Sequence, residues 1–445
     1  MERCEMSVLW AGSCWSSAQN RLDEGWHNDL TKEIEEKMIS EKQMHTAIVI
    51  KATGSCYTLH DLASQATVEA RLRGKLRLSG SRSTSPVVVG DIVDYEPEVL
   101  TGDQASTVLA DDASKSNKKQ SNETASETTV EEDRSMASAQ LSSDKAETEE
   151  LGSSTPQAPA TRMTGTIVAL HPRRNYIIRR ASNLSKESHI IAANIDRAFW
   201  VVSLVYPTTN NEFIDRFLVT AEAYHIPVTI LLNKSDLYNT PELEQQRDAF
   251  IATYTHAGYD VIEMAAARGD MLQFWAGRDF GDGSSRSGRA CGLEVGVSVG
   301  EGLDPLRKLL RGNVNLLSGN SGVGKSTLIR AIDPTLDVRV GEVSDAHHKG
   351  KHTTTFSEMY PLEDGGWLID TPGIKGFGLI DLEGAEIARY FPELFHLAPQ
   401  CAYYNCTHTH EPGCAVKQAL ERGEVSPSRY ESYLKLLEDD EKYRR

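Results

Sequence analysis

The octapeptide Gly319-Asn320-Ser321-Gly322-Val323-Gly324-Lys325-Ser326 constrains the fold more than any other feature of the chain. Its glycines let successive backbone N–H groups converge on phosphate oxygens. A lysine at this spacing reaches the β- and γ-phosphates, and the following hydroxyl ligates Mg²⁺. The signal has meaning only between a strand and a helix. Here the apolar run Asn313 to Ser318 precedes it, and Thr327-Leu328-Ile329-Arg330 opens a helix whose positive end faces the phosphates. A glycine-rich turn matching by chance would lack that flanking pattern. A phosphate-binding loop of this kind requires a parallel α/β sheet. Further strands are expected at Ile195 to Val205, Pro227 to Asn233, Tyr259 to Met264 and Trp367 to Asp370, with an amphipathic helix over Asn211 to His225.

Two other segments complete a nucleotide site. Asp370-Thr371-Pro372-Gly373 closes an apolar strand about fifty residues after the octapeptide. An aspartate there can hold Mg²⁺ through water, and the Gly373 N–H can meet the γ-phosphate. Asn233-Lys234-Ser235-Asp236 follows a buried strand. The Asp236 carboxylate can accept from both N1–H and the 2-amino group of guanine, donors that adenine lacks at those positions. Asn233 can donate to the O6/N7 edge, and the Lys234 stem can cover the base. A buried carboxylate facing the wrong base would stay unpaired, which is what makes the contact selective. The guanine-reading segment precedes the phosphate loop, the reverse of the common order. A sheet needs its strands and not their chain order, so this is a permuted GTP site.

Gly350-Lys351-His352-Thr353-Thr354-Thr355 lies between the two phosphate motifs, where a mobile threonine can complete the Mg²⁺ shell. Ile374 stands where many GTPases place a water-orienting glutamine, and isoleucine cannot orient water. His352 is the candidate catalytic group; a loop histidine without a catalytic role fits the sequence equally well.

Cys401-x4-Cys406-x-His408-x5-Cys414 offers three thiolates and an imidazole, a closed tetrahedral set for one structural Zn²⁺. His410 competes with His408 but sits one strand period away. The other cysteines, Cys4, Cys14, Cys56 and Cys291, are scattered, unlike a disulfide framework.

Residues 44–100 and 164–179 read as short strands. Arg71, Arg73, Lys75, Arg77 and Arg82 interleave with leucines, and Arg173, Arg174, Arg179 and Arg180 flank the returning strands. Five-stranded barrels use such faces for oligonucleotides; an ordinary solvated face is the alternative. The net charge of −17 opposes nucleic-acid binding only in appearance. Residues 101–160 hold 12 acidic and 5 basic side chains, and residues 1–43 hold 9 and 5, leaving −6 for the rest. Residues 101–160 carry too few bulky apolar side chains to offset the entropy of ordering, which predicts a disordered insertion in one barrel loop. The early Glu2, Glu5, Asp23 and Glu24 suit neither a secretory signal nor a transit peptide. Either Met44 is the true start or 1–43 is a dispensable, disordered leader. The longest apolar stretch, Ala198 to Tyr206, is far short of the ~20 residues a bilayer requires.

These motifs in this order closely resemble the ribosome small-subunit-dependent GTPase A family, RsgA or YjeQ. Gly90-Asp91, Asn194-Ile195-Asp196 and Phe213-Ile214-Asp215-Arg216-Phe217 add to the likeness, which spans about 44–100 and 161–445. The resemblance implies an OB-fold barrel (44–185), a circularly permuted P-loop GTPase domain (186–385) and a small helical zinc-binding domain (386–445). It implies a monomer binding GTP and Mg²⁺ through Asn233–Asp236, Ser318–Thr327, Thr353, Thr354, Asp370 and Gly373. It implies GTP hydrolysis stimulated by the 30S subunit, contact with 16S-type rRNA, and a role in late maturation of that particle. A cytoplasmic location is expected, or an organellar stroma if 1–43 is a transit peptide. Two details depart from the family pattern. Lys351 stands where arginine is usual, and Ala265-Ala266 replaces a Ser-Ala pair, losing a hydroxyl but keeping the backbone contact. Two rival readings are an RNA-binding scaffold whose nucleotide site hardly turns over and a P-loop ATPase or kinase acting on a small molecule.

Overall fold

The computed structural model describes residues 44–74, 86–99, 163–180, 188–280, 302–336, 357–371 and 384–444. The leader, the insertion 101–160 and the basic positions Lys75, Arg77 and Arg82 lie outside them. Five strands come first: β1 (His45–Thr53), β2 (Cys56–Asp61), β3 (Thr67–Leu72), β4 (Ile92–Val99) and β5 (Met163–Leu170). In β3 the inward Val68, Ala70 and Leu72 alternate with exposed Thr67, Glu69 and Arg71, the two-residue period of a half-buried strand. β1 pairs antiparallel with β2 and with β4, β3 runs parallel to β5, and β5 runs antiparallel to β4. This ring closes a barrel around Val49, Leu59, Val68, Val93, Tyr95 and Ile167. Closure leaves none of the five with an open edge inside the barrel. Val99 and Met163, which flank the insertion, pair directly.

The strand expected at Tyr176 belongs elsewhere. β6 (Tyr176–Arg180) forms a hairpin-like sheet with β7 (Ser188–Ala193), outside the barrel. Alternation in a sequence identifies a strand but not its partner. The arginines before it are also occupied. Arg173 forks onto buried Asp91 at 2.6 and 2.7 Å, and Arg174 bonds Asp196 at 2.8 Å. Arg173 serves the joint between barrel and nucleotide domain rather than an open basic face, whereas Arg174 stays 62% exposed. They also account for the Gly90-Asp91 and Asn194-Ile195-Asp196 phrases, since Asn194 Nδ2 donates to the Gly90 carbonyl.

The nucleotide domain is built on β8 (Arg197–Val202), β9 (Val228–Leu232), β10 (Asp260–Ala265), β11 (Asp270–Trp275), β12 (Val314–Gly319), β13 (Glu358–Pro361) and β14 (Trp367–Asp370). Five run parallel in the order β10-β9-β8-β12-β14, with antiparallel β11 and β13 at the two sides. Both faces are covered, which is why β8 and β9 read as unbroken apolar runs. Helices Asn211–Ala223 and Pro241–His256 pack one face through Trp200, Phe217, Ile230 and Tyr254. Helices Asp304–Leu310 and Lys325–Ile332 pack the other through Phe199, Leu306, Leu317 and Leu328. β13 also pairs with β1, so the barrel and the nucleotide domain share one twelve-stranded sheet.

The C-terminal helices Pro392–Leu397, Ala415–Glu421 and Pro427–Arg444 enclose Phe391, Leu394, Val416, Tyr433 and Leu436, together with Val219 from the nucleotide domain. An ion triad anchors them. Buried Arg429 donates to Glu393 at 2.7 and 3.1 Å and to Asp215 at 2.7 Å. Its guanidinium also lies 4.6 Å from the Phe391 ring centre. Asp215 sits on the helix Asn211–Ala223, so the triad spans both units. Removing the cation would leave two buried carboxylates facing each other. Arg429→Met is expected to cost about 3–5 kcal/mol, read as a lowered urea midpoint. Replacing Asp215 and Glu393 by apolar residues as well should recover most of it.

Candidate nucleotide and metal sites

Asn233 sits where three chain segments meet. Its Nδ2 donates to the Val323 carbonyl at 2.8 Å, and its Oδ1 accepts from the Ala266 N–H at 2.9 Å. Its own N–H bonds the Val202 carbonyl at 2.9 Å. The Asn233–Asp236 segment, the Ala265-Ala266 turn and the Gly319–Ser326 loop are therefore tied by one buried side chain. Gly324 has φ +104, and a Cβ there would lie 2.4 Å from Asn233 Nδ2, so only glycine fits. Lys234 takes a left-handed conformation, φ 66, and its Nζ bonds the Gly322 carbonyl at 2.9 Å and the Tyr206 carbonyl. Burial pulls the Lys234 ammonium below its ordinary range, against the pull of Asp236. Ser235 and exposed Asp236 open a short 3-10 turn beyond it.

Ser318 and Gly319 end β12, Asn320–Gly324 form the loop, and the helix begins at Lys325, with Ser326 half-buried and Thr327 exposed. The Gly319 backbone approaches Val201 so closely that a Cβ would sit 2.3 Å from its carbonyl oxygen. Lys325 Nζ donates to the Gly319 and Asn320 carbonyls, both at 2.9 Å, curled over the cradle that phosphates would occupy. Burial pulls its pKa down to about 8, and the nearby Asp370 charge opposes that. Asp370 is buried at the end of β14, beside the phosphate-loop strand β12. Thr371 Oγ1 bonds Ser318 Oγ at 2.9 Å. Asp370 and Lys325 thus lie at the ends of adjacent strands β14 and β12, close enough for their charges to interact, and Asn233 ties the loop to the Asp236 turn. His352, Thr353, Thr354 and Gly373 lie outside the described residues.

The donor atoms of Cys401, Cys406, His408 and Cys414 all lie within 4.8 Å of one another. His408 Nδ1 is 3.5 Å from both Cys401 Sγ and Cys414 Sγ. Zn–S bonds of about 2.3 Å in a tetrahedron require comparable separations, so the set fits Zn²⁺. Burial and the neighbouring thiols push the Cys406 thiol up to about 12, a crowding that a cation would relieve. His410 turns away, its Nδ1 2.9 Å from Thr409 Oγ1. The loop is held by Tyr430 and Tyr433, whose hydroxyls donate to the His408 and Thr407 carbonyls at 2.6 Å.

Comparison with known proteins agrees with this geometry. A model of the RsgA GTPase domain matches residues 170–275 and 286–380, and a model of the RsgA N-terminal domain matches residues 46–103. The small ribosomal subunit biogenesis GTPase RsgA of Phocaeicola vulgatus is 40% identical over 399 residues, covering 89% of this chain and 98% of that protein. The chain belongs to the RsgA GTPase family. It is thus one of a family of GTP-hydrolysing enzymes. The RsgA of Porphyromonas gingivalis is 41% identical over 402 residues, with 89% of this chain and 98% of its own length covered. Among solved structures, YjeQ from Thermotoga maritima shares the fold at a TM-score of 0.54 and 24% identity, covering 89% of this chain and 98% of its own. YloQ, described as a circularly permuted GTPase, does so at 0.52 and 20%, covering 91% and 98%. Within this family site, sequence reasoning missed Tyr206, Tyr238 and Thr371. Their roles run through carbonyls and hydroxyls across the sheet, as when Tyr238 donates to the Asn233 carbonyl at 2.6 Å. No spacing rule shows such contacts.

The lowered Lys325 pKa carries a sign. Above about pH 8 the unliganded lysine is largely neutral, while phosphate oxygens favour its charged form. GTP binding between pH 8 and 10 should therefore take up a proton and weaken as pH rises. Calorimetry in buffers of different ionisation enthalpy reads this uptake, and Lys325→Met should abolish it. At the other site, zinc analysis should find one ion per chain. Cys406→Ser should release it and lower the melting temperature of the C-terminal helices.

Proposed function

We propose that the chain is a GTPase that binds the 30S ribosomal subunit and assists its late maturation, with turnover stimulated by that subunit. The observation that carries the reading is the Asn233 junction, because it joins a guanine-selecting segment to a phosphate loop in permuted order. Relatives named for small ribosomal subunit biogenesis, matched over 98% of their length, support the ribosomal assignment.

In this reading Asp236 pairs with guanine N1–H and the 2-amino group, Asn233 faces the O6/N7 edge, and Lys234 and Ser235 frame the base. The N–H groups of Gly319 to Thr327 cradle the phosphates, with Ser318 supporting the loop from β12. Lys325 leaves the Gly319 and Asn320 carbonyls for the β/γ-phosphates. Ser326 and Asp370 hold Mg²⁺, joined by Thr353 or Thr354, and Gly373 meets the γ-phosphate. Mg²⁺ supplies charge neutralisation on the phosphoryl oxygens. His352, or a group of the ribosomal particle, orients the attacking water. One Zn²⁺ on Cys401, Cys406, His408 and Cys414 holds a C-terminal domain, 386–445, that together with the barrel, 44–185, docks on 16S-type rRNA. The nucleotide domain spans 186–385. The protein acts as a monomer in the cytoplasm; among the described residues no helix is long and apolar enough to cross a membrane.

Sedimentation with isolated small and large subunits tests this reading. Co-sedimentation with small subunits should be strong with a non-hydrolysable GTP analogue and weak with GDP, and those subunits should raise hydrolysis. Binding to neither subunit, with no stimulation, would refute the ribosomal role. Base selection has its own check. Asp236→Asn replaces an acceptor with a donor suited to the 2-oxo group of xanthine. GTP affinity should drop by about a hundredfold while xanthosine triphosphate binding improves.

A further inference from the structure

Lys51 lies on β1 of the barrel, far in sequence from every nucleotide motif, yet it shares a cross-strand row with the magnesium-site carboxylate. Lys51 is in register with Glu358 of β13, Glu358 with Asp370 of β14, and Asp370 with Leu317 of β12. Side chains in register on adjacent strands stand on one face, with strands roughly 4.8 Å apart. Lys51 Nζ reaches Glu358 Oε1 at 2.9 Å, and the Tyr360 hydroxyl donates to Glu358 Oε2 at 3.1 Å.

The local backbone serves this contact. The β1–β2 register slips between Val49 and Lys51, so Ile50 is an extra residue opposite β2. A bulge of this kind re-aims the side chain that follows it. The bulge falls between the end of the β1–β4 pairing at Ile48 and the pairing of Lys51 with β13, while β2 stays paired on both sides of it. The electrostatic logic is equally specific. Glu358 and Asp370 are like charges directly opposite each other, an unfavourable pairing in a sheet. Lys325 faces Asp370 from the phosphate-loop side, and Lys51 faces Glu358 from the barrel side. Only Glu358 is paired directly with its cation; the Lys325 ammonium acts on Asp370 through space while bonded to the Gly319 and Asn320 carbonyls. In sequence, Glu358 stands two positions after the segment 337–356, which carries His352, Thr353 and Thr354.

We infer that Lys51 is a positioning residue for GTP hydrolysis: acting through Glu358, the barrel sets the electrostatics and placement of the strand beside Asp370. The inference rests on the magnesium role proposed for Asp370. Lys51 is 42% exposed and Glu358 35%, and partly exposed pairs contribute little to folding. An effect on turnover can therefore be separated from one on stability.

The test is steady-state GTP hydrolysis by the full chain with small ribosomal subunits, comparing Lys51→Met, Lys51→Glu, Lys51→Arg and Glu358→Gln, with thermal melting alongside. Lys51→Met should lower kcat about fivefold to tenfold, with KM for GTP changed less than about twofold. Lys51→Glu should lose more, and Lys51→Arg should stay within about twofold of wild type. Once Glu358→Gln is present, Lys51→Met should add little, since the lysine acts only through that carboxylate. Wild-type kcat in Lys51→Met and Lys51→Glu would overturn the inference. So would Lys51→Arg as impaired as Lys51→Met, or loss matched by a fall in melting temperature, because the role would then be structural. Asp370→Asn keeps the two readings apart. If it hydrolyses GTP normally, the magnesium-site reading fails, whatever the Lys51 variants do.

Discussion

A buried amide holds this nucleotide site together. Asn233 spends its donor on Val323 and its acceptor on Ala266, and its backbone is pinned to Val202. In a low-dielectric interior each of those groups would be costly to leave unmade. The consequence is geometric. The turn carrying Asp236 cannot move relative to the phosphate loop without breaking bonds that nothing else would replace. Permutation of the chain is tolerable because this adhesion is between strands adjacent in space, β8, β9 and β12, and takes no account of which was synthesised first.

The domain is bonded to its neighbours by two different kinds of contact. On one side, β13 continues the sheet into the barrel, with Arg173 on Asp91 and Asn194 on Gly90 closing the joint. On the other, the helix Asn211–Ala223 carries Asp215 into the Arg429 triad and Arg216 onto Asp439 at 2.6 Å. That helix begins just after Tyr206, whose carbonyl accepts from the Lys234 ammonium that also bonds the Gly322 carbonyl. The barrel therefore meets the nucleotide domain beside β14, the strand that ends at Asp370, while the C-terminal helices meet it through the helix Asn211–Ala223.

Much of this was legible in the residues. The strand at Trp367 to Asp370 was readable as an apolar run leading into Asp370-Thr371-Pro372-Gly373, and the helix from Asn211 because apolar periodicity is strong there. The clustering of Cys401, Cys406, His408 and Cys414 was readable because spacing within one loop fixes their distance. What the sequence hid is pairing. Tyr176–Arg180 has the alternation of a barrel strand but finds its partner in β7. Arg173 has the charge of an RNA contact but is spent on Asp91. β13, only four residues long, has no period to detect and is defined by the strands on either side. Lys325 was readable as the lysine of a phosphate-loop motif, but its contacts with the Gly319 and Asn320 carbonyls follow from burial, which no motif records.

The barrel's last joint bears on how the chain can grow. Val99 and Met163 face each other across β4 and β5, so the ladder is sealed on both sides of the residues between them. Added length there changes stability only through the logarithm of the loop, about 0.6 kcal/mol per doubling. The connection is accordingly a port at which evolution, or an engineer, can splice in a reporter or an affinity handle without rewriting the barrel.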